Sequence, residues 1–165
     1  MSRAFVKEAD DNLPSDELPE RPQSPHPNYV TSAGLAQLHA RVHSLQRERD
    51  ELAAHDDPMA VTRLLEVKRD LRYFQGRVER AIQVDPSGQP KDEVHFGAEV
   101  EMIDPAGSRT TFRIVGEDEA DVVAGKLSWA SPLGKALIGL KVGDRFSWVR
   151  AGMAQDMEIS AIRYG

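Results

Sequence analysis

One proline constrains this chain more than any other residue. Two runs of apolar residues at alternating spacings of three and four flank the stretch "AAHDDPMA", residues 53–60. The first run is Leu35, Leu38, Val42, Leu45 and Leu52, broken only at Arg49. The second is Leu64, Val67, Leu71, Phe74, Val78 and Ala81. Such spacing lays an apolar seam along one helix face. A single continuous helix is excluded, because Pro58 has no amide to donate and its ring clashes with the preceding turn. Proline is well suited to the first turn of a new helix, with Asp56 or Asp57 as its cap. The residues therefore predict two antiparallel helices over 31–84, each covering the other's seam. Thr31 or Ser32 caps the first. Arms of about 23–26 residues reach roughly 35 Å at 1.5 Å per residue. Neither arm is stable alone in water, so pairing holds the finger together.

The segments on either side have a different texture. Residues 1–30 read as a flexible leader, because five of the ten prolines lie between Pro14 and Pro27 and exclude helix and inner strand. Phe5 and Val6 are its apolar residues near the start, and Tyr29 and Val30 mark the beginning of order. Residues 85–93, "DPSGQPKDE", read as a linker. From residue 94 to 165 the period becomes two, as half-buried strands require. "AEVEMID" and "TTFRIVG" form a hairpin around "PAGS". "DRFSWVR" and "DMEISAIRY" form a second around "AGMAQ". Between them, "SWASPLGKALIGLKVGD" holds a short helix. Ser131 caps it, Pro132 takes its first position, Leu133, Ala136, Leu137 and Ile138 turn inward, and Gly139 stops it. The expected class is α+β: an antiparallel helical hairpin followed by a small antiparallel sheet domain with a short helix.

Composition narrows the chemistry. With no cysteine among 165 residues, disulfides, thiolate metal sites and thiol nucleophiles are excluded. A net charge of −6 restricts nucleic-acid contact to a local patch. No apolar run approaches the ~20 residues of a membrane span, and the N-terminus lacks an apolar signal core, so the expected location is cytoplasmic. His39 and His43 stand four apart on a helix without a third ligand and read as surface. No phosphate-cradling loop or nucleophile elbow is present, so an autonomous active site is not expected. Two features remain. Asp56 and Asp57 at the finger tip, with Asp50 and Glu51 one turn back, are hard oxygen donors suited to a divalent ion held by another macromolecule; the alternative is that they cap the second helix and favour its dipole. Arg49 and Arg63 flank the tip and are placed to meet a phosphate backbone; the alternative is a solvated coiled-coil face.

The series "FRIVGEDEAD", "SPLGKALIG", "VGD" and "ISAIRY", following a helical hairpin, resembles the bacterial Gre (GreA/GreB) transcription elongation factors over residues 29–165. The hairpin matches more loosely, through "TSAGLAQL" and "GRVERA". The resemblance implies an FKBP-like C-terminal domain, without isomerase activity, docking at the rim of the RNA polymerase secondary channel. Ala130, Ser131 and Pro132 match the family's docking loop. It implies a monomer whose finger enters the channel toward the backtracked RNA 3′ end. There its acidic tip, here Asp56 and Asp57, helps position polymerase-bound Mg²⁺ for transcript cleavage. Such a factor has no cofactor of its own and is accessory to the polymerase rather than an enzyme. The sequence departs from the family in its leader, its shorter finger and its tip. Aligned on "GRVERA", Asp57 falls on the family's aspartate but Ala60 falls on its glutamate. The alternative is a secondary-channel regulator that does not cleave, like the regulator of nucleoside diphosphate kinase family. A peptidyl-prolyl isomerase, suggested by fold alone, is disfavoured by a domain poor in aromatic residues.

Overall fold

A computed structural model describes residues 18–165; residues 1–17, with Phe5 and Val6, lie outside the described part. Helix α1 (Ser32–Leu52) and helix α2 (Pro58–Glu79) form the finger. Thr31 caps α1 by accepting from the Gly34 amide, and Asp57 caps α2 by accepting from Ala60. Leu45 and Val67 are fully buried between the helices, with Leu38 and Leu71 nearly so. Val42, Leu52 and Phe74 pack around them. At 1.5 Å per residue, 22 residues make α2 about 33 Å long.

The finger ends before residue 84. After α2 the chain extends as β2 (Ala81–Gln83), which pairs in parallel with β1 (Asn28–Val30) just ahead of α1. The helical hairpin is thus the crossover between two parallel strands, the long connection such a pair needs. Neither strand has more than three residues, too few to show a period.

The rest is one five-stranded sheet with strand order β5-β4-β3-β7-β6. Its members are β3 (Glu99–Ile103), β4 (Arg109–Val115), β5 (Lys126–Ser128), β6 (Arg145–Arg150) and β7 (Met153–Arg163). Three of the four pairings are antiparallel: the two expected hairpins, β3–β4 and β6–β7, and a long-range pairing of β3 with β7. The fourth makes the sheet mixed: β5 joins β4 in parallel, with Arg113 opposite Lys126. The β6–β7 turn is also tighter than expected. Only Ala151 and Gly152 lie outside the strands, both at positive φ, and Met153–Gln155 belong to β7. One face of the sheet carries a continuous apolar core that includes Val100, Met102, Ile114, Met157 and Ile159. The short helix α3 (Pro132–Leu137) packs against both β5 and β6, the two edges of the sheet, so the sheet is curled around it. Leu137 is fully buried and Leu133 partly so. Ala136, expected inward, is exposed, because a six-residue helix has room for one buried stripe. Among the described residues, no helix is long and apolar enough to cross a membrane.

Candidate functional site

Three places carry chemistry: the finger tip, the loop before α3, and the junction between finger and sheet. At the tip, α1 ends at Leu52 and the His55 amide closes the turn on the Leu52 carbonyl at 3.0 Å. The Asp57 Oδ1 accepts from the Ala60 amide at 3.0 Å, so one oxygen of this carboxylate is committed to holding α2. Asp56 is exposed. Ala60 is buried under the turn. Among the described residues, no cluster of three or more His, Asp or Glu side chains is arranged to hold a metal ion. His39 and His43 are both exposed.

The two arginines expected to meet phosphate are already occupied. The Arg63 Nε donates to Glu48 Oε1 at 2.7 Å across the helix pair, and its Nη1 donates to Glu66 Oε2 at 3.0 Å. Hydrogen bonding to Glu48, then to Glu66, holds its guanidinium well above the ordinary arginine pKa. Arg49 pairs with Asp50 at 3.0 Å. A phosphate at Arg63 must compete with two carboxylates.

The loop before α3 is closed by its own hydrogen bonds. The Ser131 Oγ donates to the Ser128 carbonyl at 2.7 Å and accepts from the Gly134 amide at 3.0 Å. The Ala130 amide donates to the Ser128 Oγ at 3.1 Å. Gly134 fits only because it lacks a side chain: a Cβ there would stand 2.1 Å from the Ser128 carbonyl oxygen. Trp129, just ahead, stacks edge-on against Tyr29 at 5.1 Å between ring centroids. Pro132 is exposed, and Ala130 and Ser131 partly so. Beside them opens an apolar groove of about 450 Å³, lined by Phe112, Val122, Leu127, Ser131, Pro132, Leu133, Ala136, Ser147, Trp148 and Val149. Val122 and Val149 are 65% and 67% exposed and Val123 fully so. Of these three valines, Val122 and Val149 line the groove.

The junction was not anticipated from sequence. Arg77 of α2 is only 3% exposed. Its Nε donates to Asp118 Oδ2 at 2.8 Å, and its Nη2 donates to Asn28 Oδ1 at 2.7 Å and lies 3.6 Å from Glu117. The Asn28 side-chain Nδ2 donates to the Arg77 carbonyl at 2.7 Å. Glu119 is buried as well. It accepts from the Thr31 amide and from the Gly116 amide, both at 3.1 Å, and from the Thr31 hydroxyl. A Cβ on Gly34 would stand 2.0 Å from its carboxyl carbon, so a larger residue there would push the Glu119 carboxylate out of place. The three consecutive acids Glu117, Asp118 and Glu119 thus fasten the finger's base to the sheet. A run of three acids directly after an apolar strand was the available signal, but spacing alone does not name their partner.

Comparison with known proteins follows the same division. Residues 89–164 match the family model described as transcription elongation factor, GreA/GreB, C-term. Transcription elongation factor GreA of Rhodospirillum rubrum is 35% identical over 152 residues, 82% of this chain and 97% of that protein. Transcription elongation factor GreB of Neisseria meningitidis serogroup B is 32% identical over 153 residues, 83% of this chain and 94% of that protein. The solved structure of prokaryotic transcription elongation factor GreA/GreB from Nitrosomonas europaea aligns at 21% identity over 83% of this chain and 99% of that one, with a TM-score of 0.43. With identity above 30% across nearly the full length of its relatives, the chain belongs to the GreA/GreB family of transcription elongation factors.

Proposed function

We propose that this chain acts, as a monomer, on RNA polymerase at its secondary channel. The sheet domain docks through Ala130, Ser131 and Pro132, and the finger reaches into the channel toward a backtracked RNA 3′ end. The observation that carries this reading is the loop itself. It is locked by four hydrogen bonds around Ser128 and Ser131, yet it sits at the open mouth of an apolar groove. A preformed loop beside desolvatable apolar surface binds a partner with little ordering cost. At the tip, Asp56 is the carboxylate with no capping duty. A divalent ion held by the polymerase would supply the charge that activates a water, and Asp56 would orient toward that ion.

A second reading, a channel regulator that does not cleave, is favoured by two observations at the tip. Asp57 is committed to the Ala60 amide, and Ala60, which aligns with the family's glutamate, is buried. A stalled, backtracked elongation complex with end-labelled RNA and magnesium separates the readings. Shortened transcripts above the polymerase's own background, lost in Asp56→Ala, support cleavage. Asp57→Asn keeps the cap and is the control for helix integrity. No cleavage, with competition against an authentic Gre factor, selects the regulator. Neither cleavage nor competition would overturn polymerase docking itself.

A further inference from the structure

We propose that residues 20–26, expected to be part of a flexible leader, form a strap that fixes the angle between finger and sheet domain. These residues form neither helix nor strand, but they are pinned at both ends. Toward the finger, Glu20 accepts from the Arg72 Nε at 2.6 Å, and Arg21 donates to Asp70 at 3.2 Å. The Arg21 guanidinium also lies 4.0 Å from the Tyr73 ring centroid, a cation–π contact. The Gln23 side-chain amide donates to the Tyr73 carbonyl at 3.0 Å. Toward the sheet domain, the Ser24 hydroxyl donates to Glu117 at 3.0 Å, and His26 meets the edge of Trp129 at 5.7 Å. The chain then enters β1.

Position gives the strap its effect. Every other polar contact described between finger and sheet gathers at the finger's base, around Asn28, Thr31, Arg77 and Glu119. One attachment resists sliding but leaves rocking free. The strap grips α2 at Asp70 and Arg72, which lie five to seven residues from Arg77, or about 10 Å along the helix. Two attachments that far apart resist rotation as well. The lever is long: rocking by about 10° at the end of a ~33 Å helix moves the tip by roughly 6 Å. The grip is also releasable. Its ion pairs are partly exposed, with Glu20 and Arg72 side chains at 60% and 37%. Exposed pairs are individually weak and screened by salt. The finger's angle is a property of the free chain and does not depend on whether the tip supports cleavage.

The chain has no cysteine, so two introduced thiols can be spin-labelled without background. Ala53→Cys at the tip and Val123→Cys on the sheet domain, both exposed, report the angle by pulsed dipolar spectroscopy. The unaltered strap should give one narrow distance distribution. Glu20→Ala, Arg21→Ala and Gln23→Ala together should broaden it by roughly 6 Å, the displacement expected of a rocking lever. Salt at about 1 M, where the screening length falls to ~3 Å, should broaden the unaltered strap and leave the triple variant unchanged. Glu20→Arg should broaden it too, and adding Arg72→Glu should restore the narrow distribution. Equal widths in all variants would overturn the strap as an angular lock. A lower unfolding midpoint with unchanged width would do the same, since it would show stabilisation without orientation.

Discussion

Replacing Arg77 by methionine tests the junction directly. Methionine keeps most of the apolar stem and removes the fork. Arg77 is 3% exposed, while its partners Asp118 and Glu117 are 20% and 25% exposed, so the carboxylates regain some water when the pair is broken. Asn28 does not, being itself 3% exposed; its Oδ1 loses its donor outright. A lost charged hydrogen bond is worth about 1.5–3 kcal/mol and a stranded buried acceptor about 1–3. Breaking a buried pair from one side costs about 3–5 kcal/mol, and the partial exposure of the acids pulls this case to the lower end, about 3 kcal/mol. At about 2–4 °C per kcal/mol for a protein of this size, the unfolding midpoint should fall by roughly 6–12 °C. Denaturant unfolding followed by far-UV circular dichroism gives the difference. The deficit should persist at high salt, because buried pairs are screened little. Arg77→Lys should recover about half, since one ammonium cannot serve Asn28 and Asp118 with a planar fork's geometry. A loss below ~1 kcal/mol, the range of exposed pairs, would refute the view that this guanidinium is a buried hub.

Three further outcomes follow from single contacts. Gly134→Ala places a Cβ 2.1 Å from a backbone oxygen that cannot swing away; a loss of about 1–3 kcal/mol and weaker polymerase binding are expected, and an unchanged melting curve would contradict the close packing. Tyr164→Phe strands the Glu93 carbonyl at 2.5 Å and the His95 amide at 2.8 Å and should lower stability by about 2 kcal/mol. Burial raises the Tyr164 pKa, so its neutral form stabilises the fold below the unfolded value of about 10, and that stability is lost as pH rises through the folded value; an alkaline titration of the unfolding midpoint should show this step in the parent and not in the Phe variant. Ala151 turns the β6–β7 hairpin at φ 48°, where residues other than Gly, Asn and Asp are strained by about 1–2 kcal/mol; Ala151→Asn should raise the unfolding free energy by about 0.5–1 kcal/mol, and a lowered denaturation midpoint would count against the turn geometry.

What the sequence displayed and what it hid divide by distance along the chain. Pro58, the caps Thr31, Asp57 and Ser131, and the period-two strands act within a few residues of themselves, and spacing reads them directly. The parallel pairing of β4 with β5 was hidden, because a three-residue strand has no measurable period and its partner is set by the curl of the whole sheet. Arg77 was hidden for a different reason. A periodicity argument assigns charged helix positions to solvent; Arg41 and Arg47 obey it, and Arg49, Arg63, Arg69 and Arg72 are half-exposed. Arg77 is buried because Asn28, 49 residues earlier, and Asp118, 41 residues later, converge on it, and no local window spans those separations. The leader repeats the lesson. Prolines between residues 14 and 27 do forbid helix and inner strand, yet excluding regular structure does not exclude fixed structure. Proline also lowers the entropy lost when a segment is held in place. With Arg21, Gln23 and Ser24 between the prolines to supply bonds to Asp70, Tyr73 and Glu117, the same residues that rule out a helix make a strap that is cheap to fasten.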